Sequence, residues 1–249
     1  MVVFWTSKAM QCARLFVVLV IGSPLFSSAA IAQSCGLSLV LAIDVSSSVD
    51  EEEYRLQMHG MAGALSDAEV VQAIGLVGGI QLLAFEWSGR YDQTDIFPWR
   101  FVAFEEDVIT VANEIRNHPR VRSDMPTALG YALGYASRRL DEAPLLCGRK
   151  VVDVSGDGIT NEGFEPYHAY AAFPLQDVQV NGLVIRGAEP DPVEYYEDEV
   201  KQGPGSFIEI ASGFSDYQRA MKRKLLREIL GGALSEVHTG HGGSISILR

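Results

Sequence analysis

The chain is poor in cysteine, histidine and basic residues. Three cysteines in 249 residues are too few for a disulfide-dense mini-scaffold. The five histidines are scattered, and none belongs to an H-E-x-x-H pair. G-x-S-x-G and P-loop patterns are also absent, so the sequence carries no zinc-protease, serine-hydrolase or phosphate-cradle signature. Lys and Arg number 20 against 32 Asp and Glu, for a net charge of −12. That balance argues against nucleic acid as a partner, because phosphate neutralisation needs clustered cations. What remains is ordinary: 47% hydrophobic and 21% charged residues exclude wholesale disorder and low-complexity filaments. The length admits one large domain or two small ones.

Residues 1–32 contain Lys8 and Arg14 and no acid. The apolar run 15–26 follows, then Ala30-Ile31-Ala32. A basic start, an apolar core and an A-x-A site predict a secretory signal peptide cleaved after Ala32, and a periplasmic or secreted protein. The competing reading is a retained anchor; Ser23, Pro24, Ser27 and Ser28 weaken it as a spanning helix. Loss of Lys8 and Arg14 takes the net charge from −12 to −14 and leaves Cys35 and Cys147. In an exported chain two cysteines read as one disulfide or as two separate buried thiols.

Along residues 33–249, strand and helix patterns alternate. Residues 37–45 (LSLVLAIDV) form a continuous apolar run, as expected of a strand buried on both faces. Asp50 and three glutamates then precede apolar residues at helical spacing, which marks a helix N-terminus. Further strands are expected over 79–87, 95–103, 150–155, 178–185 and 206–211. Pro98 places the segment 95–103 at a sheet edge, where a missing N–H is harmless. Helices are expected over 105–117, 127–140, 165–177 (shortened by Pro174), 192–200 and 216–230, with the tail 231–249 unassigned. The pattern predicts a single α/β domain with a mostly parallel, six-stranded sheet covered on both faces. Ligands in such sheets bind beyond the carboxyl ends of the strands.

Three segments at those ends carry oxygen. The first strand runs into Asp44, Ser46 and Ser48, one carboxylate and two hydroxyls of the kind a hard divalent cation prefers. Thr127 stands where a helix begins and reads either as an N-cap or as a ligand. Asp157 follows the strand 150–155 in Ser155-Gly156-Asp157-Gly158, and reads either as a turn or as a ligand.

In their order and placement the three segments resemble the metal-ion-dependent adhesion site of a von Willebrand factor type A (vWA) domain. The resemblance covers about residues 37–230 and is to the stand-alone exported bacterial type. It implies a doubly wound sheet of order 3-2-1-4-5-6 with one antiparallel edge strand. Asp44, Ser46, Ser48 and Thr127 would bind Mg2+ (or Mn2+) directly, and Asp157 through water. An acidic side chain of a partner protein would complete the coordination. The same strand order makes 37–45 and 150–155 parallel neighbours and so implies a Cys35–Cys147 disulfide. One departure is the second loop, Ser123-Asp124-Met125-Pro126-Thr127, where many A domains carry a glycine shortly before the threonine. Asp124 reads as a solvated charge or as an extra acid near the site.

The expected function is therefore an exported protein-binding module, not an enzyme. The alternatives are an envelope-assembly domain with a vestigial site, or a metal-assisted hydrolase, for which no positioned general base is visible. Asp153, Ser155 and Asp157 imitate the front of an EF-hand loop, but Phe164 occupies the twelfth position, where glutamate is needed. Asp153 reads instead as a buried carboxylate satisfied by a neighbour. His238 and His241 lie in a Gly-rich tail. Residues 189–199 carry six acids and read as a solvated segment. The basic helix 216–230 reads as docked on the domain.

Overall fold

A computed structural model describes Met1 and residues 35–239. The signal segment expected over 1–32 lies, Met1 apart, outside them, as does His241. Six strands form one sheet: β1 (Cys35–Asp44), β2 (Ile80–Trp87), β3 (Gln93–Val102), β4 (Cys147–Gly156), β5 (Gln179–Ile185) and β6 (Ile208–Ala211). Their order is β3-β2-β1-β4-β5-β6. Only the β2–β3 pair is antiparallel; β1 pairs with β2 and β4, β4 with β5, and β5 with β6 in parallel. The order expected from the resemblance is the one observed. Pro98 is exposed on the edge strand β3, next to the register irregularity between Leu82 and Ala84, where its missing N–H breaks no ladder bond.

The apolar runs of β1 and β2 are explained by burial on both sides. Leu39, Leu41, Ile43, Leu82 and Ala84 face one core. There they meet α1 (Glu51–Leu65), α2 (Ala68–Leu76), α3 (Glu105–Arg116) and α7 (Tyr217–Thr239). Val40, Ala42, Leu83, Phe85 and Trp87 face the other, under α4 (Leu129–Asp141), α5 (Pro166–Ala172) and the segment after β5. That segment is α6 (Val193–Tyr195), continued by a π-helical turn, Tyr196–Val200. Each fully buried Leu, Val, Ile or Phe contributes roughly 1.5–3 kcal/mol, so the two faces together hold the sheet between its helices.

Local chemistry sets the helix ends. Asp50 and Glu53 form a reciprocal capping box at α1, each carboxylate accepting from the other's backbone N–H at 2.8 Å, and Asp67 caps α2. The helix expected to end by 177 stops at Ala172, because Pro174 forces Phe173 into the extended region. The last helix runs to Thr239, nine residues past the expected end, so part of the unassigned tail is helical. The helix expected from 127 starts at Leu129, with Ala128 at its N-cap and no side-chain cap. Thr127 is therefore not a cap. Among the described residues no helix is long and apolar enough to cross a membrane.

The basic helix α7 is docked, as expected, and a buried charge cluster fastens it. Lys224 is fully buried. Its Nζ lies 2.6 Å from Asp153 Oδ1 and 2.6 Å from Glu228 Oε1, and Asn181 Nδ2 donates to the same Glu228 oxygen at 2.8 Å. Burial pushes the Asp153 carboxyl up to about 7, against the pull of the Lys224 charge. At the opposite end of the sheet Cys35 and Cys147 are register partners and form a disulfide across a sequence separation of 112.

Two outcomes are expected. Replacing Lys224 by Met leaves Asp153 and Glu228 buried without their cation, and should lower the unfolding free energy in urea by about 3–5 kcal/mol. Reducing the disulfide should lower it by about 4–5 kcal/mol in the chain-entropy account, read as a drop in melting temperature on adding reductant.

Candidate metal centre

Parallel pairing brings the three oxygen-bearing segments to one edge. Ile43 is level with Ser155, and Asp44 with Trp87, so the chain leaves β1, β2 and β4 at the same height. Ser46 Oγ lies 3.2 Å from Ser48 Oγ, Thr127 Oγ1 donates to Ser46 Oγ at 3.2 Å, and Ser48 Oγ donates to Asp157 Oδ1 at 2.8 Å. Asp44 Oδ1 accepts from the Ser46 backbone N–H at 2.8 Å. The five residues expected to form a site are thus one hydrogen-bonded cluster. Asp44, Ser46, Thr127 and Asp157 are buried, and Ser48 is exposed at the mouth. Thr127 uses its hydroxyl and Asp157 its carboxylate within this cluster.

Neighbouring side chains hold the loops in place. One guanidinium nitrogen of Arg120 donates to the carbonyls of Val45, Ser46 and Val49 at 3.0, 3.1 and 2.7 Å. Three carbonyls on one cation fix the turn of the first loop. Gln57 of α1 donates to the Asp44 carbonyl at 2.8 Å. Asn161 Oδ1 accepts from the Thr127 N–H at 2.9 Å, and the N–H of Ser47 donates to the Met125 carbonyl at 2.8 Å. That last bond ties the second loop to the first without the glycine that many A domains carry. Asp124 is a surface charge paired with Arg122. Asp153 bonds Lys224 on the α7 face and belongs to a different cluster.

The electrostatics leave the pocket short of positive charge. Burial, then the Asp157 carboxylate, push the Asp44 carboxyl up to about 7, against hydrogen bonds from Ser46 and the charge of Arg120. Burial also raises Asp157, opposed by the Ser48 hydrogen bond. Asp44 Oδ2 is buried with no hydrogen-bond partner. A buried carboxylate oxygen without a partner is costly unless a cation or proton meets it. Among the described residues no three His, Cys, Asp or Glu side chains converge on a metal-sized site. The donors are two carboxylates and three hydroxyls, a set whose chemistry fits a hard divalent cation.

Sequence reading missed Arg120, Gln57 and Asn161, which act through backbone groups and leave no pattern. It also missed Tyr196, which lies in the acidic segment read as solvated but is fully buried. Its hydroxyl has no partner, and burial followed by the Asp44 and Asp157 charges holds it well above the ordinary tyrosine range. The one available signal is the spacing of Val193, Tyr196 and Val200, which marks a helical apolar face inside the acidic run.

The pH dependence has a definite sign. An unfolded aspartate titrates near ~3.9, whereas Asp44 in the metal-free fold keeps its proton up to about 7. Between those values the native state binds more protons than the unfolded state, so stability falls as pH rises through the window. Asp153 contributes with the same sign. In chelator, the melting temperature should fall from pH 4.5 to 7.5, and Asp44→Asn should make that fall shallower.

Solved structures share this architecture at low identity. Proximal thread matrix protein 1 from the mussel byssus, described with a zinc-occupied MIDAS motif, is 18% identical with a TM-score of 0.56, over 78% of this chain and 48% of that one. A von Willebrand factor type A protein from Catenulispora acidiphila is 13% identical with a TM-score of 0.56, over 79% and 43%. The PilB minor pilin from Streptococcus sanguinis is 13% identical with a TM-score of 0.56, over 79% and 62%. The chain spans about half the length of the mussel protein. These likenesses give the fold, which is vWA-like. No curated protein matches the chain. Residues 34–233 match one family model, and the chain belongs to that family, described as "Protein of unknown function (DUF1194)".

Proposed function

We propose that the protein is an exported vWA-type binding module. In this reading residues 1–32 are a signal peptide and 33–249 a single domain. Asp44, Ser46, Ser48, Thr127 and Asp157 hold Mg2+ or Mn2+, and the cation takes a carboxylate from a partner protein. The observation that carries the reading is the convergence of these five side chains, from three segments, in one hydrogen-bonded cluster that includes a buried carboxylate with a partnerless oxygen. The neighbours lend support through what they are. One is described with a metal-occupied MIDAS motif, one is a minor pilin, and another is the pilus adhesin SpaC from Lactobacillus rhamnosus GG.

The chemistry follows from the donor set. Two carboxylates balance a divalent charge, and three neutral hydroxyls add oxygen without adding charge. A cation held this way keeps its attraction for one further anionic oxygen. The mouth at Ser48 is open to such a group. Ala128 N–H donates to the Ser88 carbonyl at 2.8 Å, so the turn 88–92 borders the second loop. Tyr91, 82% exposed on that turn, offers an aromatic surface edge-on to Tyr131 of α4.

Mg2+ at a hundred times its dissociation constant should stabilise the fold by about 2.7 kcal/mol, seen as a rise in melting temperature that Asp44→Ala abolishes. A partner captured from envelope extract should bind in Mg2+ and leave in EDTA. A melting temperature indifferent to Mg2+ and Mn2+ would refute the proposal.

A further inference from the structure

Two glycines cut a slot in the sheet on the α4–α5 side. Gly156 ends β4, and Gly182 lies inside β5, level with Val154. A Cβ on Gly182 would sit 2.6 Å from Cδ1 of the Tyr196 ring. A Cβ on Gly156 would sit 2.4 Å from the Tyr196 hydroxyl and 2.9 Å from Asp44 Oδ2. Glycine inside a strand weakens it and marks a close approach; here the approaching group is one tyrosine. The π-helical turn that begins at Tyr196 delivers the ring into the slot.

The hydroxyl at the end of this ring is unusual in its surroundings. It is fully buried and has no hydrogen-bond partner. It borders the Gly156 backbone together with Asp44 Oδ2, itself buried and without a partner. Two orphaned polar atoms, each within 3 Å of the place a Gly156 Cβ would take, are a poor arrangement for stability alone, because each has given up water for nothing. A phenylalanine would fill the same slot without that penalty.

We infer that Tyr196 is a positioning residue of the cation centre, whose hydroxyl, set by the Gly156–Gly182 slot, acts from behind Asp44 on the ion's outer shell. This rests on the proposed cation site. As a neutral phenol it donates one hydrogen bond and accepts others, so it can bridge Asp44 or an ion-held water without adding charge. Partners of this kind fix the orientation of metal ligands, and losing one typically weakens metal binding about 10–100-fold.

The test compares wild type with Tyr196→Phe by thermal melting in EDTA and by Mn2+ titration followed through water-proton relaxation. The expected result is a Tyr196→Phe melting temperature in EDTA equal to or above wild type, with Mn2+ binding at least ~10-fold weaker. A tyrosine serving only as packing would leave the Mn2+ affinity of Tyr196→Phe unchanged. Unchanged Mn2+ affinity therefore overturns the inference, whether the melting temperature in EDTA falls, holds or rises. Absence of Mn2+ binding in wild type overturns the cation site itself, a distinct outcome because it does not depend on the variant.

Discussion

The parallel pairing of β1 with β4 is the constraint on which the rest of the molecule depends. Its register sets Cys35 against Cys147 at one end and Ile43 against Ser155 at the other. Because both strands run the same way, residues at matching distances from the cysteines emerge together at the far edge. Asp44 and Asp157, more than a hundred residues apart, end up in one cluster, with Ser48 of the Asp44 loop donating to Asp157. A slip of one residue would turn one strand's side chains to the opposite face and part the two carboxylates. The Cys35–Cys147 disulfide and the pairing of Asp153 with Lys224 on one face oppose that slip.

The fold concentrates buried charge in two places and treats them differently. On the α7 side, Asp153 and Glu228 share Lys224, so the cation is built into the chain. On the other side, Asp44 and Asp157 have hydroxyls and a guanidinium aimed at backbone carbonyls, but no ammonium of their own. The first arrangement is closed and fastens a helix. The second is open at its mouth and keeps an unpaired oxygen. The contrast within one sheet separates a structural ion cluster from a site arranged to receive something.

Much of this was legible in the residue pattern, for physical reasons. Continuous apolar runs marked the central strands because both faces of the sheet are covered. Asp50 with three glutamates marked a helix start because carboxylates sit well at that dipole end. The D-x-S-x-S run and Asp157 were visible because they follow strands directly. Thr127 was ambiguous, since a hydroxyl before a helix serves equally as a cap. Arg120, Gln57 and Asn161 were not legible, because they serve the site through backbone atoms and nothing local requires them. Tyr196 was hidden by its acidic neighbours, and only the space left by Gly156 and Gly182 explains it. The end of α7 was misplaced because no proline interrupts the sequence beyond residue 230.

The disulfide has a topological consequence for the opposite edge of the sheet. It closes a covalent macrocycle from Cys35 to Cys147, and Asp44, Ser46, Ser48 and Thr127 all lie on that ring. Asp157 hangs from it by a short tether. In the unfolded chain the path from Asp44 to Asp157 then runs through nine residues, the sulfur bridge and ten more, about twenty in place of 113. By loop-closure scaling the shorter tether lowers the entropic barrier to their meeting by about 1.5 kcal/mol. Oxidation before folding therefore keeps the two carboxylates within reach of each other while the sheet between them is still unformed.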